Sequence, residues 1–209
     1  MTVQLMLISP ALNAALREAR IDDDAPLDAA GARRARAAAA AVPPADRYVR
    51  GPSERCAGTA DALGLRAGPE PALRGWDMGR WSGRRLAEVS GSEPEAVSLW
   101  MTDPSAAPHG GESLLEFCAR IGGLLEALES GDGEEGGRVL AVVEPAVVRA
   151  MVVRALALPA EAFWRLDVAP LTLTGLSGRS GRWNLRCGRP LSPAPRSRPP
   201  RSALTRRDN

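Results

Sequence analysis

The sequence predicts an α/β fold, a three-layer α/β/α sandwich around a mostly parallel central sheet. Two observations carry this. Strand-like and helix-like segments alternate from the N-terminus onward, and residues 138–143 form a run that is apolar after its first residue and leads into a helical pattern, as a strand covered on both faces does. With 209 residues, 44% of them hydrophobic, the chain is long enough for one sizeable core, expected to be a single domain over residues 1–188.

In chain order, Val3–Ile8 is a short apolar strand that Ser9-Pro10 opens into a loop. Residues 28–41 read as a helix, 46–50 as a second strand and 53–63 as a second helix, which Gly64 and Gly68-Pro69 stop. The segment 73–83, rich in Gly and Trp, reads as irregular. A helix over 113–130 follows from a capping box, Ser113 with Glu116 three residues on, and from one apolar face holding Leu114, Phe117, Ile121, Leu124, Leu125 and Leu128. After the strand at 138–143 comes a helix at 146–156, and strands at 166–176 and 182–186 close the fold.

The chain has no lysine, so all 27 basic residues are arginines, which excludes Schiff-base chemistry and a P-loop. Cys56, Cys118 and Cys187 have neither disulfide nor metal-ligand spacing, and no metal or cofactor is expected. The glycines of GDGEEG at 131–136 imitate a dinucleotide fingerprint, but a helix precedes them and a strand follows, the reverse of what that fingerprint needs. Residues 189–209 carry six arginines against Asp208 alone, with interspersed prolines and serines, and are expected to form a disordered basic tail. Without a basic stripe and interleaved aromatics in the folded part, nucleic-acid binding is not expected. The absence of a long apolar stretch or leader pattern places the protein in the cytoplasm, with a small molecule as its partner and no membrane contact; a homodimer is left open.

Four segments in order carry a resemblance: LMLISP with PLDAAGARRA; GPSERCAGTADALGL; LRGWDMGRWSGRRLAEV; and PHGGESLLEFCARI followed by VLAVVEPAVVRAMV. Together, over roughly residues 3 to 187, they resemble the phosphoglycerate mutase-like branch of the histidine phosphatase superfamily. The resemblance implies that family's sheet and a site at the C-terminal rim of its strands. It also implies a phosphoryl-accepting histidine in an Arg-His-Gly loop, an acidic glutamate and a second histidine. Here Ile8, Ser9 and Pro10 align with the loop, Gly75 with the glutamate and Glu144 with the second histidine, while Gly51 replaces a pocket serine and Arg55 matches the pocket arginine.

A serine without an adjacent base does not replace a nucleophilic histidine, and a carboxylate at 144 repels phosphate, so neither phosphatase nor mutase activity is expected. The expected function is metal-free proton transfer, that is isomerisation, dehydration or cyclisation, on a small and flat biosynthetic intermediate, an aromatic one among the candidates. Glu144 would be the general base, its basicity raised by burial, and Arg55 would hold the substrate oxygen. Ser9, Trp76, Trp81, His109 and Trp164 are the candidate substrate-binding residues. The alternative is a catalytically silent ligand-binding or regulatory protein in which Arg55 and Glu144 merely fill the pocket.

Overall fold

The computed structural model describes residues 2–21, 24–130, 137–179 and 181–191. Strands β1 (Val3–Ile8), β2 (Arg47–Arg50), β3 (Gly68–Pro69), β4 (Arg138–Val142), β5 (Thr172–Arg179) and β6 (Arg182–Pro190) form one sheet in the order β3-β2-β4-β1-β5-β6. β3, β2, β4 and β1 are mutually parallel, and β5 and β6 are added antiparallel at one edge. The expected neighbours β1 and β4 pair at the centre, from Gln4 opposite Arg138 to Ile8 opposite Val142.

Successive strand residues point to opposite faces, and this period of two divides the core. Leu5 and Leu7 of β1 join Ala141 and Val143 in a cluster with Phe117 and Ile121 of α6 (Leu114–Ser130) and Met151 of α7 (Pro145–Ala155). Ile8, Leu140 and Val142 face the other way, onto Ala35 and Ala38 of α2 (Ala29–Ala38) and Cys56 and Ala60 of α3 (Glu54–Ala62). The small side chains of α2 and α3 let those helices lie close to the sheet, whereas the opposite layer is filled by aromatic rings.

The helix at 113–130 starts one residue later than expected, on the anticipated box: the Ser113 amide donates to Glu116 Oε2 at 2.8 Å and the Glu116 amide to Ser113 Oγ at 3.2 Å. Elsewhere the sequence expectation needs correction. Residues 166–171 are not strand; a 3-10 segment occupies Ala160–Arg165, and Leu171, at φ +54°, turns the chain into β5. β6 continues to Pro190 and Leu191 is fully buried, so residues 189–191 belong to the folded unit, three beyond the expected boundary. The rest of the expected tail, 192–209, and the glycine turn at 131–136 lie outside the described residues. Three helices were not anticipated: α1 (Ala14–Arg17), α4 (Leu86–Ser92) and α5 (Pro94–Thr102). Among the described residues no helix is long and apolar enough to cross a membrane.

Candidate functional site

The site forms where β1 and β4 end. The Val143 amide donates to the Ile8 carbonyl at 3.0 Å, so pairing persists to the rim, and Glu144 then leaves the sheet in an extended conformation (φ −54°, ψ 146°) as the residue before α7, with Pro145 in its first turn. Glu144 is 5% exposed and ion-pairs with Arg55, which is 7% exposed. Ser53, the N-cap of α3, accepts from the Cys56 amide at 3.2 Å and donates its hydroxyl to Glu144 Oε1 at 2.7 Å. The Cys56 thiol reaches the same oxygen at 3.5 Å.

Arg55 and Glu144 line a cleft of about 360 Å³. Trp76, Trp100 and Trp164 form its aromatic wall, with Trp100 and Trp164 edge to face at 4.6 Å and Trp76 and Trp164 at 5.8 Å between centroids. Arg20 and Arg149 complete its cationic lining. The ion pair and an open cleft thus coexist, although the sequence reading treated them as signs of different functions.

Of the residues expected at the site, Glu144, Arg55, Trp76 and Trp164 come together in this cleft. Ser9, Trp81 and His109 do not. The Ser9 hydroxyl is turned toward β5: it donates to the Ala169 carbonyl, lies 3.3 Å from Thr172 Oγ1 and accepts from the Thr172 amide at 3.2 Å. It closes the turn that begins β5. His109, expected from sequence as a substrate-binding residue, is instead 1% exposed and packs beside Trp81, with centroids 5.2 Å apart. Its Nδ1 accepts from the Gly111 amide at 3.0 Å, and burial lowers its pKa below the ordinary histidine value. Trp81 is fully buried and its indole N–H donates to Glu93 at 3.2 Å.

Sequence reasoning missed Ser53, Trp100, Arg20 and Arg149. Ser53 was read only as a helix start, though an N-cap before the pocket arginine also stands beside the end of a neighbouring strand. Arg149 follows Glu144 by five residues on α7, about 7.5 Å along the helix axis, a spacing that keeps both near one end of the sheet.

The profile of the histidine phosphatase superfamily (branch 1) matches residues 11–188. The chain belongs to that superfamily. Among curated members of known activity, the glucosyl-3-phosphoglycerate phosphatase of Mycobacterium tuberculosis (strain CDC 1551 / Oshkosh) is 36% identical over 83 residues, covering 38% of this chain and 37% of that protein. The glucosyl-3-phosphoglycerate phosphatase of Mycolicibacterium vanbaalenii is 31% identical over 116 residues, 51% of this chain and 52% of its own. The matches therefore span between about a third and a half of these relatives. The solved structure of a mycobacterial glucosyl-3-phosphoglycerate phosphatase superposes with a TM-score of 0.76 at 26% identity, over 88% of this chain and 97% of that one. The α-ribazole phosphatase of Shigella flexneri shares the fold, with a TM-score of 0.78 at 22% identity over 91% and 98% of the two chains.

These relatives are phosphatases. They point to phosphoester chemistry and overturn the expectation that the chain is no phosphatase but an isomerase, dehydratase or cyclase. The chain's single histidine, His109, is not among the residues lining the cleft.

Proposed function

We propose that this chain is a phosphatase that binds a small phosphorylated organic molecule in the Glu144 cleft and hydrolyses its phosphoester without forming a phosphohistidine. The observation that carries the reading is an arginine-lined, indole-walled cleft at the C-terminal rim of the parallel strands, in a chain of this superfamily.

The chemistry follows from the groups present. As the site stands, Arg55 is occupied by Glu144. Stripping a buried ion of its partner costs about 3–5 kcal/mol, so the entering phosphoryl group must itself replace Glu144 beside Arg55. Glu144, relieved of the guanidinium, then takes a proton from water. The water oxygen bonds to phosphorus as the ester P–O bond breaks, and Arg55 carries the charge on the phosphoryl oxygens. No histidine lines the cleft, and its second carboxyl group, Asp24, accepts from the Glu54 amide at 2.9 Å as a carboxylate does, so the leaving oxygen takes its proton from solvent. That requirement favours esters of acidic alcohols and phenols, whose rings the indole wall accommodates.

Phosphate release from para-nitrophenyl phosphate and from glycerol 3-phosphate tests the reading. The aryl ester should be hydrolysed much faster. Glu144→Gln should lower the rate by about 10²–10⁴, as loss of a general base does, with part of the rate returned by Glu144→Asp. Phosphate binding with no release above background, or an unchanged rate in Glu144→Gln, refutes it.

A further inference from the structure

The geometry points to Arg149 as the residue that receives the ligand's oxyanion as it enters the cleft, a specificity role resting on the phosphatase reading above but assigned to a side chain outside the Arg55–Glu144 pair. Three arginines line the cleft. Arg55 is committed to Glu144. Arg20 gives Nε and one terminal nitrogen to Glu18, at 3.3 and 3.1 Å, and its other terminal nitrogen to the Gly83 carbonyl at 3.0 Å. Arg149 makes no hydrogen bond or ion pair to any of the described residues, and its Nε is buried with no partner.

An unsatisfied buried N–H is a defect unless something else fills it. Arg149 is also positioned: its guanidinium carbon stands 5.6 Å from the Phe163 ring centroid, so an aromatic face fixes the plane of the fork without using any of its five N–H donors. A planar, partly desolvated guanidinium with free donors matches two oxygens of one anion, the shared chemistry of phosphate and carboxylate.

Direction of approach follows from charge. Arg149 also borders a smaller cavity of about 220 Å³, whose lining balances Arg149 with Asp167 alone. The main cleft sets Arg20, Arg55 and Arg149 against Asp24 and Glu144, leaving it net positive. An anion is drawn to the main cleft, where Arg149 can hold it before any exchange with Glu144 frees Arg55.

Calorimetric titration with inorganic phosphate and, separately, acetate tests this on the full chain, Arg149→Met, Arg149→Lys, and Arg138→Met, which removes one positive charge at the far end of β4. Phosphate binding should weaken roughly tenfold or more in Arg149→Met, stay unchanged in Arg138→Met, and fall between the two in Arg149→Lys, which keeps charge and stem but loses the fork. If Arg149→Met does not fold, the lysine variant carries the test. Equal affinity in the parent and either Arg149 variant, or an equal loss in Arg138→Met, overturns the assignment; if the parent still hydrolyses aryl phosphate, the phosphatase reading survives. Binding of acetate but not phosphate, lost in Arg149→Met, upholds Arg149 as a carboxylate receptor and refutes the phosphatase reading. Binding of neither anion overturns both.

Discussion

Arg55 and Glu144 owe their pairing to two different elements, the first turn of α3 and the end of β4, so each is the other's main compensation for burial. Arg55→Met should therefore lose about 3–5 kcal/mol in urea unfolding, because it strands a buried carboxylate. The double variant Arg55→Met/Glu144→Leu should recover most of that loss. A single variant as stable as the parent would show that solvent, not Arg55, satisfies Glu144. This pair was legible because both residues sit in segments with a family pattern. The fates of Ser9 and His109 were not: Ser9 is fixed by Ala169 and Thr172, more than 150 residues away, and nothing local to His109 announces the indoles that enclose it. His109 also sets a pH dependence. Its folded pKa is lowered, by desolvation first, so the neutral form is the one that folds well, and the unfolded chain binds the proton more readily. That stability is fully present above the ordinary histidine pKa of about 6.5 and is lost as pH falls below it. Melting followed from pH 8 to pH 5 should show a fall that His109→Gln removes; the depressed carboxylates, Glu112 and Glu116 among them, act at lower pH.

At the scale of elements, what could be read depended on whether an element announces itself locally. α6 carries its own start signal and one long apolar face, and both survive folding: Ser113 and Glu116 cap each other, and Leu114, Phe117, Ile121 and Leu125 are buried. Ser113→Ala should lower stability by about 1 kcal/mol by orphaning the Glu116 amide, measured by chemical denaturation. A change near zero would mean that water caps the helix equally well. α4 and α5 offered no such signal. α4 fully buries only Val89 and α5 buries no residue completely, while Leu99 and Met101 stay exposed, so their apolar residues trace no stripe. Their contributions to the cleft, Leu86 and Trp100, were hidden with them. β6 was cut short for the opposite reason: as an edge strand it ends in Arg189 and Pro190, which resemble the start of a basic, proline-rich tail when read as composition.

Across the whole molecule the sheet divides two cores of different character, and the closing strand decides how well the second is sealed. One face is aromatic, with Trp76 stacked on Phe117 at 5.5 Å and edge to face with Phe163 at 5.3 Å, and it supports the wall of the cleft. The other face is assembled from alanines and short aliphatics on α2 and α3, so each larger side chain in it matters more. Leu191 is one of these. It is fully buried against that face, and its amide donates to the Leu171 carbonyl at 3.0 Å, which ties the end of β6 to the turn that starts β5. The same turn is held by the Ser9 hydroxyl at the rim of β1, so Leu191 supports the loop adjoining the site from behind. Leu191→Ala in the full chain should cost about 2–5 kcal/mol, since the removed methyls leave a void among side chains too small to close over it. A chain ending at residue 188, the boundary expected from sequence, should melt lower than one ending at residue 191 by a corresponding margin. Equal melting of these two truncations would mean that the buried leucine adds nothing to the fold and that residues 189–191 are passengers on the sheet edge. A lower melting point in the shorter chain together with unchanged anion binding would separate the sealing of the alanine-rich core from the chemistry of the cleft, which depends on the opposite face.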